Sequence, residues 1–303
     1  MTITNEKHAV FGNCVKMSNG LAELWVTTDF GPRVIHAGLC DKKNMLYQDN
    51  EMTPLGEMLD VYNGDIHKLY GGHRLWIAPE VLPRCYHPDN NPVTCELIPN
   101  GMRFIAPIEG KNNIRKSFSI TMSENKAKVT LEHKVENTGQ WDVELALWCI
   151  TMMQSGGKAV MPFTKRKTGL LPNRHISLWD YAETNDSRVY WGKDFITLTQ
   201  NEAMANPFKL GYNNEDGWAA YFNDGQLFVK HFKPTVGAEY PDNGCMFETY
   251  TNKSMLELET LGPLVTIAPN GNATHIEEWT FHNEPEIPSN NESEITKLMA
   301  KYI

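Results

Sequence analysis

The chain has 303 residues, enough to bury a large core in one β domain or in two smaller domains. Its net charge of −9 excludes a general binder of nucleic acids or of anionic membranes, because most of its surface would repel phosphate groups. The sequence shows no secretion signal, no apolar run of membrane-spanning length and no close CxxC pair among its six cysteines. We therefore expect a cytoplasmic monomer with reduced thiols, and a single domain over residues 1–303.

Short runs in which apolar and polar residues alternate predict β-strands along most of the chain. The clearest runs cover residues 21–27, 34–39, 117–122, 128–135, 143–151, 195–199, 218–222 and 226–232. Turn signals such as Gly31-Pro32 and Asn223-Asp-Gly225 separate them and indicate hairpin connections. Together these features predict an all-β fold, a large antiparallel sandwich with its loops gathered at the sheet ends.

The segment from Tyr70 to Glu80, YGGHRLWIAPE, has the densest group of functional residue types. His73 can exchange a proton near neutral pH, Arg74 offers a forked hydrogen-bond donor, and Trp76 offers an apolar face to a pyranose ring. These are the components of a sugar site. The alternative is a tight glycine turn that enters a core strand, with Trp76 buried and Arg74 in a salt bridge.

A strand-like run from Met255 to Pro263 places Glu257 and Glu259 on one face and leucines on the other. On a concave face such a pair can bind sugar hydroxyls or move protons, whereas on a convex face it only keeps the sheet solvated. The spacing by itself favours the solvated alternative.

The last segment predicts a short helix over about residues 290–302. Ser289 and Glu292 have the spacing of a capping box, and apolar residues at 295, 298, 299 and 302 recur with helical period. No nucleophile elbow, GxGxxG or P-loop motif occurs, and the histidine spacings are too irregular for a metal site. The sequence therefore predicts neither a cofactor nor a metal.

Four segments in this order resemble the galactose mutarotase-like superfamily, in particular a branch with a GGHRLW-type motif. They are Gly31-Pro-Arg-Val-Ile35, the Gly71–Trp76 cluster, Val135-Glu-Asn-Thr-Gly139, and Leu256-Glu-Leu-Glu-Thr-Leu-Gly-Pro263 before a Pro-Asn-Gly turn. The resemblance extends over about residues 19–282. It implies a β-supersandwich with a carbohydrate-binding cleft on its concave sheet and, for the enzymes, interconversion of aldose anomers.

The resemblance also implies roles for single residues. Glu259 takes the place of the family's base, with Glu257 as a neighbouring or binding carboxylate. His73 and Arg74 fall near the family's early substrate-binding histidine and arginine, although the two glycines precede His73 here instead of following it. We therefore expect His73 and Glu259 to approach the same concave face.

The family's general-acid histidine is replaced here, because its strand reads Leu145-Ala-Leu-Trp-Cys-Ile-Thr151 and has Trp148 or Cys149 at that place. An indole is not an acid and an ordinary thiol is a poor one. The remaining candidates for the acid are His73 and His231.

The other candidate residues would bind the sugar without moving a proton. Arg74 and Lys230 would hold hydroxyls or an acidic group, and Trp76 and Trp148 would provide stacking surfaces. Two hypotheses follow for a small-molecule carbohydrate partner: an aldose 1-epimerase-like isomerase, or a sugar-binding or interaction module of the same fold without turnover. A third alternative is a sandwich domain whose cleft is vestigial.

Overall fold

The computed structural model describes residues 1–55 and 60–303, and nearly all of its regular structure is β-strand. In chain order the strands are β1 (Thr2–His8), β2 (Gly12–Ser18), β3 (Ala22–Thr27), β4 (Val34–Leu39), β5 (His73–Ala78), β6 (Thr94–Ile98), β7 (Gly101–Ile105), β8 (Ile114–Met122), β9 (Lys128–Asn137), β10 (Val143–Gln154), β11 (Lys158–Pro162), β12 (Ile176–Leu178), β13 (Val189–Trp191), β14 (Phe195–Thr199), β15 (Phe208–Tyr212), β16 (Trp218–Asn223), β17 (Gln226–Phe232), β18 (Phe247–Thr251), β19 (Met255–Leu261), β20 (Val265–Ile267) and β21 (Asn272–Asn283). The helical elements are 3₁₀ turns at Asp60–Tyr62 and Arg84–Tyr86, a single turn at Pro241–Gly244, and helix α1 at Glu292–Met299. Within the described residues, no helix has both the length and the apolar character needed to cross a membrane.

The strands form two antiparallel sheets that pack against each other. The first sheet has the order β1-β2-β3-β4-β5-β10-β19-β18-β15-β12, and β20 pairs with β10. The second sheet has the order β13-β14-β11-β16-β17-β21-β9-β8-β7-β6. A continuous apolar core lies between them. The structure confirms the predicted all-β antiparallel sandwich with a short C-terminal helix.

The C-terminal helix begins differently from the prediction. Asn291 is its N-cap, and its side-chain oxygen accepts hydrogen bonds from the backbone of Ser293 and Glu294. The carboxylate of Glu292 instead accepts from the backbone N–H groups of Asp194 and Phe195. The predicted capping box is therefore wrong, because Glu292 attaches the helix to the start of β14.

The two faces of the central strands β5, β10 and β19 have different surroundings. In the register of these strands, His73 pairs with Thr151 and Arg74 pairs with Ile150, which in turn lies opposite Glu259. Successive residues of a strand point to opposite faces. His73 and Thr151 therefore face the second sheet, whereas Arg74 and Glu259 face away from it.

An ion pair lies buried between the two sheets, beneath β10. The Lys230 Nζ atom is 3.0 Å from a Glu277 oxygen and donates a 2.6 Å hydrogen bond to Thr151 Oγ1. Glu277 also accepts hydrogen bonds from Thr260 Oγ1 and from Trp279 Nε1. Burial alone would raise the pKa of Glu277, but the Lys230 charge lowers it well below its usual range. Both charges are therefore fully compensated, and the pair connects the sheets.

A chain of histidines extends this buried network. His73 Nδ1 is 2.8 Å from Thr151 Oγ1, and its Nε2 is 2.7 Å from Nε2 of His133. The His133 Nδ1 atom donates to the carbonyl of His275, so its Nε2 is the acceptor for His73. Ligand-type atoms of His73, His133 and Glu277 lie within 4.8 Å of one another. Each is already hydrogen-bonded and a lysine ammonium lies beside them, which favours a hydrogen-bonded core over a metal.

These histidines make the stability of the fold sensitive to acid. Burial lowers the pKa of His73 and of His133, and lowers that of His275 to about 4. The unfolded chain then binds more protons than the folded chain below a pH of about 6.5, so stability falls as pH falls. Each such histidine contributes a slope of about 1.4 kcal/mol per pH unit at most.

We expect the free energy of unfolding, measured by urea denaturation, to decrease steadily as pH falls from about 6.5 toward 4. His275→Gln, whose amide can still bond to Thr260, should lessen this slope. The control is His175→Gln, at an exposed position, which should leave the slope unchanged. Equal slopes in all three proteins would show that His275 does not contribute to the acid sensitivity.

Candidate functional site

The outer face of the first sheet carries a cavity of about 350 Å³. Its walls combine six aromatic side chains with charged groups: Leu55, Leu69, Arg74, Trp76, Glu80, Tyr86, Trp148, Ile150, Trp179, Tyr181, Lys209, Tyr250, Asn252, Met255 and Glu257. The central strands β5, β10 and β19, together with β15 and β18, supply its floor. A volume of this size matches that of a small-ligand pocket.

The glycine turn before β5 brings Arg74 and Trp76 to this cavity. Gly72 has a positive φ of 69°, and a Cβ atom there would lie 2.2 Å from the carbonyl oxygen of Val34, so a side chain has no room. The Arg74 guanidinium stacks 4.4 Å from the centre of a Trp76 ring and lies 3.8 Å from a Glu257 oxygen. The motif is thus a tight turn that enters a buried strand, and this strand also lines the cavity. A sugar site at these residues stays a prediction.

Lys209 on β15 bridges two buried carboxylates. Its Nζ atom is 2.7 Å from Glu248 and 3.1 Å from Glu259. The same ammonium lies 4.7 Å from a ring of Trp148 and 4.5 Å from a ring of Trp179. Burial alone would lower the pKa of Lys209, but Glu259 and Glu248 raise it well above its ordinary value. Lys209 therefore donates hydrogen bonds but releases its proton with difficulty.

The neighbouring glutamates of β19 differ in their surroundings. Glu257 lines the cavity, and burial followed by the charge of Glu259 raises its pKa above its usual range. Glu259 is completely buried, and its Oε2 accepts hydrogen bonds from Trp148 Nε1 at 2.9 Å and from Lys209 at 3.1 Å. Its Oε1 has no hydrogen-bond partner among the described residues. Of the two glutamates on β19, Glu257 is therefore the one that a ligand in the cavity would contact.

The prediction that His73 approaches Glu259 on one face is wrong. His73 is fully buried between the sheets, where it contacts His133 and the ring of Trp279. The reason is the alternation of β5, which turns Arg74 toward the cavity and His73 away from it. Burial also lowers the pKa of His73 well below its usual value, so it is not the missing acid.

The predicted sugar contacts of Lys230 and His231 are also wrong, because β17 belongs to the second sheet. Lys230 points between the sheets to Glu277. His231, the next residue, points to the opposite, outer face of that sheet and is partly exposed. Neither residue lines the cavity.

The structure distinguishes the two residues that stand in place of the family's acid. Trp148 lines the cavity and bonds to Glu259. Cys149 lies on the opposite face, fully buried, and this burial raises the pKa of its thiol well above its usual value. The indole of Trp148 therefore occupies the position at the cavity.

The sequence analysis missed several residues that line the cavity and also Glu248, which is buried beside Lys209. Lys209 and Glu248 each interrupt a short, otherwise uncharged strand that is largely buried, and this was the available signal for them. Trp179 and Tyr181 lie in a segment that has no periodic pattern, so nothing in their sequence context indicated a site.

Comparisons with known proteins identify the fold. No family model matches the sequence, and no curated protein matches it. Among solved structures, a candidate aldose 1-epimerase from Klebsiella pneumoniae matches with a TM-score of 0.62 at 11% identity, over 99% of this chain and 87% of that chain. A galactose mutarotase-like protein from Lactobacillus casei matches with a TM-score of 0.55 at 7% identity, over 89% of this chain and 100% of that one. The chain therefore has the galactose mutarotase-like fold, as the sequence resemblance implied.

We expect Lys209→Met to destabilise the protein by about 3–5 kcal/mol near neutral pH, because Glu248 and Glu259 lose their counter-charge in a buried site. Protonation relieves a buried carboxylate that has lost its counter-charge, so the loss should grow as pH rises and shrink in acid. Urea denaturation at about pH 5 and about pH 8 measures this difference. The control is Lys233→Met, at an exposed position. A loss that does not change with pH would contradict the assigned ion pairs.

Proposed function

We propose that the cavity binds an aldose and interconverts its anomers slowly, with Glu257 as the group that accepts and returns the proton. The observation that carries this proposal is the position of Glu257. It is a largely buried carboxyl group that lines an aromatic cavity and accepts no hydrogen bond from the described residues. The galactose mutarotase-like fold supports the choice of an aldose.

The walls of the cavity suit a polyhydroxylated ring. Trp76 and Trp148 pack edge to face with ring centres 5.5 Å apart, and such apolar surfaces can cover the faces of a pyranose. Arg74 and Lys209 donate hydrogen bonds, and Glu257 accepts them. Sugar hydroxyls both donate and accept, so the cavity can pair with them without leaving polar groups unsatisfied.

Anomer exchange requires a base and an acid. A base with a pKa near the working pH is most effective, and the raised pKa of Glu257 meets this condition. Its carboxylate would take the proton of the anomeric hydroxyl, and the ring oxygen would take a proton from solvent water in the cavity as its bond to the anomeric carbon breaks. The ring then opens, the aldehyde rotates, and the same steps reverse. Lys209 can donate a hydrogen bond to the ring oxygen but holds its proton tightly, so we expect slow exchange.

Glu259 positions another side chain in this proposal and does not act as the base. The resemblance makes Glu259 the base, but Trp148 and Lys209 both bind its Oε2 and shield it from the cavity. In our assignment Glu259 positions the Lys209 ammonium. Substitution of the two glutamates separates these assignments.

A second candidate function is sugar binding without turnover. One observation favours it: among the described residues, no histidine lines the cavity. Trp148, at the place of the family's acid, can donate a hydrogen bond but cannot transfer a proton.

We expect NMR exchange spectroscopy to detect anomer exchange above the buffer rate for at least one aldose. Glu257→Gln should reduce this rate by about 10²-fold or to the buffer rate, which is the usual contribution of a positioned proton-transfer group. Glu259→Gln should retain measurable exchange. Glu132→Gln, the same change at an exposed position on β9, is the matched control.

The other outcomes are equally informative. If Glu259→Gln abolishes the exchange and Glu257→Gln retains it, the base is Glu259. Binding without exchange would establish the second candidate function. Tryptophan fluorescence measures the binding of aldoses. If no aldose binds at millimolar concentration, the proposal is contradicted.

A further inference from the structure

We propose that the hydroxyl group of Tyr250 donates a hydrogen bond to the ring oxygen of the bound aldose and stabilises the negative charge that develops there when the ring opens. This inference rests on the proposed function and adds a catalytic residue to it. It is carried by the position of Tyr250 in the sheet, by the hydrogen bonds of its hydroxyl group, and by the connectivity of a cyclic aldose.

Tyr250 lies between Glu257 and Lys209 on the floor of the cavity. In the register of the first sheet it pairs with Glu257 of β19 on one side and with Lys209 of β15 on the other. Residues that pair directly in antiparallel strands point to the same face, with Cβ atoms about 5 Å apart. All three side chains line the cavity. A ligand that contacts Glu257 therefore also lies next to Tyr250.

Within the part of the chain that the structure describes, the Tyr250 hydroxyl group acts as an acceptor only. It accepts a long hydrogen bond of 3.4 Å from the Nδ2 atom of Asn252. The Asn252 Oδ1 atom accepts from the backbone N–H groups of Ser254 at 2.8 Å and Met255 at 3.2 Å. Two backbone donors require an oxygen at that position, so Nδ2 must be the atom that faces Tyr250. The proton of the Tyr250 hydroxyl is therefore available to a ligand.

The other two tyrosines of the cavity are less well placed for this role. The Tyr86 hydroxyl already donates to Glu80. Tyr181 belongs to the segment between β12 and β13 and is 41% exposed. Neither residue lies on a strand of the cavity floor. Tyr250 is therefore the tyrosine whose hydroxyl can reach a ligand at Glu257.

Tyr250 keeps its proton at neutral pH. Burial is the largest influence on its pKa and raises it above the ordinary value, whereas the hydrogen bond from Asn252 acts in the opposite direction. A phenol normally loses its proton near a pH of about 10. Tyr250 therefore supplies a hydrogen bond, and solvent water remains the source of the proton in the proposed reaction.

Ring opening places negative charge beside Glu257. The anomeric hydroxyl and the ring oxygen are bonded to the same carbon atom, so a group next to Glu257 can reach the ring oxygen. When Glu257 takes the hydroxyl proton, the O–H electron pair forms the carbonyl bond, and the pair of the ring C–O bond moves to the ring oxygen. A donor already aimed at this oxygen stabilises the charge until water has protonated it. Ring closure reverses these steps.

Tyr250→Phe tests this role, because it removes the hydroxyl group and keeps the ring. By NMR exchange spectroscopy on the aldose that exchanges fastest, kcat should fall by about 10²-fold, the usual effect of losing one such donor, and KM should change much less. Tyr190→Phe, the same change on β13 of the second sheet, is the matched control and should keep the wild-type rate. An unchanged kcat in Tyr250→Phe would overturn the inference.

Two analogues of the aldose test the contact with the ring oxygen itself. A 1,5-anhydro sugar keeps the ring oxygen and lacks the anomeric hydroxyl, whereas a carba sugar has a methylene group in place of the ring oxygen. For glucose these are 1,5-anhydroglucitol and carbaglucose. By calorimetry, Tyr250→Phe should weaken binding of the anhydro sugar by about threefold to tenfold, the usual net effect of one hydrogen bond, and leave binding of the carba sugar unchanged. Equal effects on both analogues would contradict a contact with the ring oxygen.

Asn252→Asp tests the availability of the hydroxyl proton. A carboxylate at this position can still accept from the backbone of Ser254 and Met255, and it can also accept the proton of the Tyr250 hydroxyl. We expect slower exchange in Asn252→Asp, and no further loss when this change is added to Tyr250→Phe. Losses that add in the double variant would contradict the assigned direction of the hydrogen bond between these residues.

The outcomes separate this inference from the function on which it rests. If Glu257→Gln abolishes the exchange and Tyr250→Phe retains the wild-type rate, the inference fails and the proposed function stands. If the wild-type protein exchanges the anomers of no aldose, the proposed function fails, and this inference fails with it.

Discussion

The whole arrangement depends on the alternation of side chains along β5, β10 and β19. These strands lie at the centre of the first sheet and are largely buried on both faces. Each side chain of these strands therefore packs either in the core between the sheets or at the cavity on the outer face. His73 and Arg74 are adjacent in the sequence, yet one joins the inter-sheet network and the other lines the cavity. A shift of one residue in register would exchange the two sets.

The two faces also differ in how completely their buried charges are hydrogen-bonded. Between the sheets, Lys230 and Glu277 have hydrogen-bond partners for both charges. On the outer face, Lys209 shares Glu248 and Glu259, and an oxygen of Glu259 has no partner within the part of the chain that the structure describes. Buried polar groups are normally satisfied, so this oxygen is an exception. The saturated cluster is structural, and the incompletely satisfied one adjoins the cavity.

Trp148 limits the chemistry of the cavity. Its indole N–H donates to Glu259 and its ring packs against Trp76, so it orients the site and adds apolar surface. An indole supplies a donor but no exchangeable acid near neutral pH. Trp148 therefore contributes a hydrogen-bond donor and apolar surface to the cavity, and no proton transfer.

The sequence alone determined the fold class, the position of Glu257 and Glu259 on the same face of a strand, and the presence of a glycine turn next to the candidate site. These follow from local alternation and turn chemistry, which depend on neighbouring residues only. Tertiary structure decided which face each strand presents to which sheet. It placed His73 and Lys230 between the sheets, away from the cavity. It also placed Lys209, on a strand distant in the sequence, at the cavity. Such contacts join residues far apart in the chain, and no local pattern encodes them.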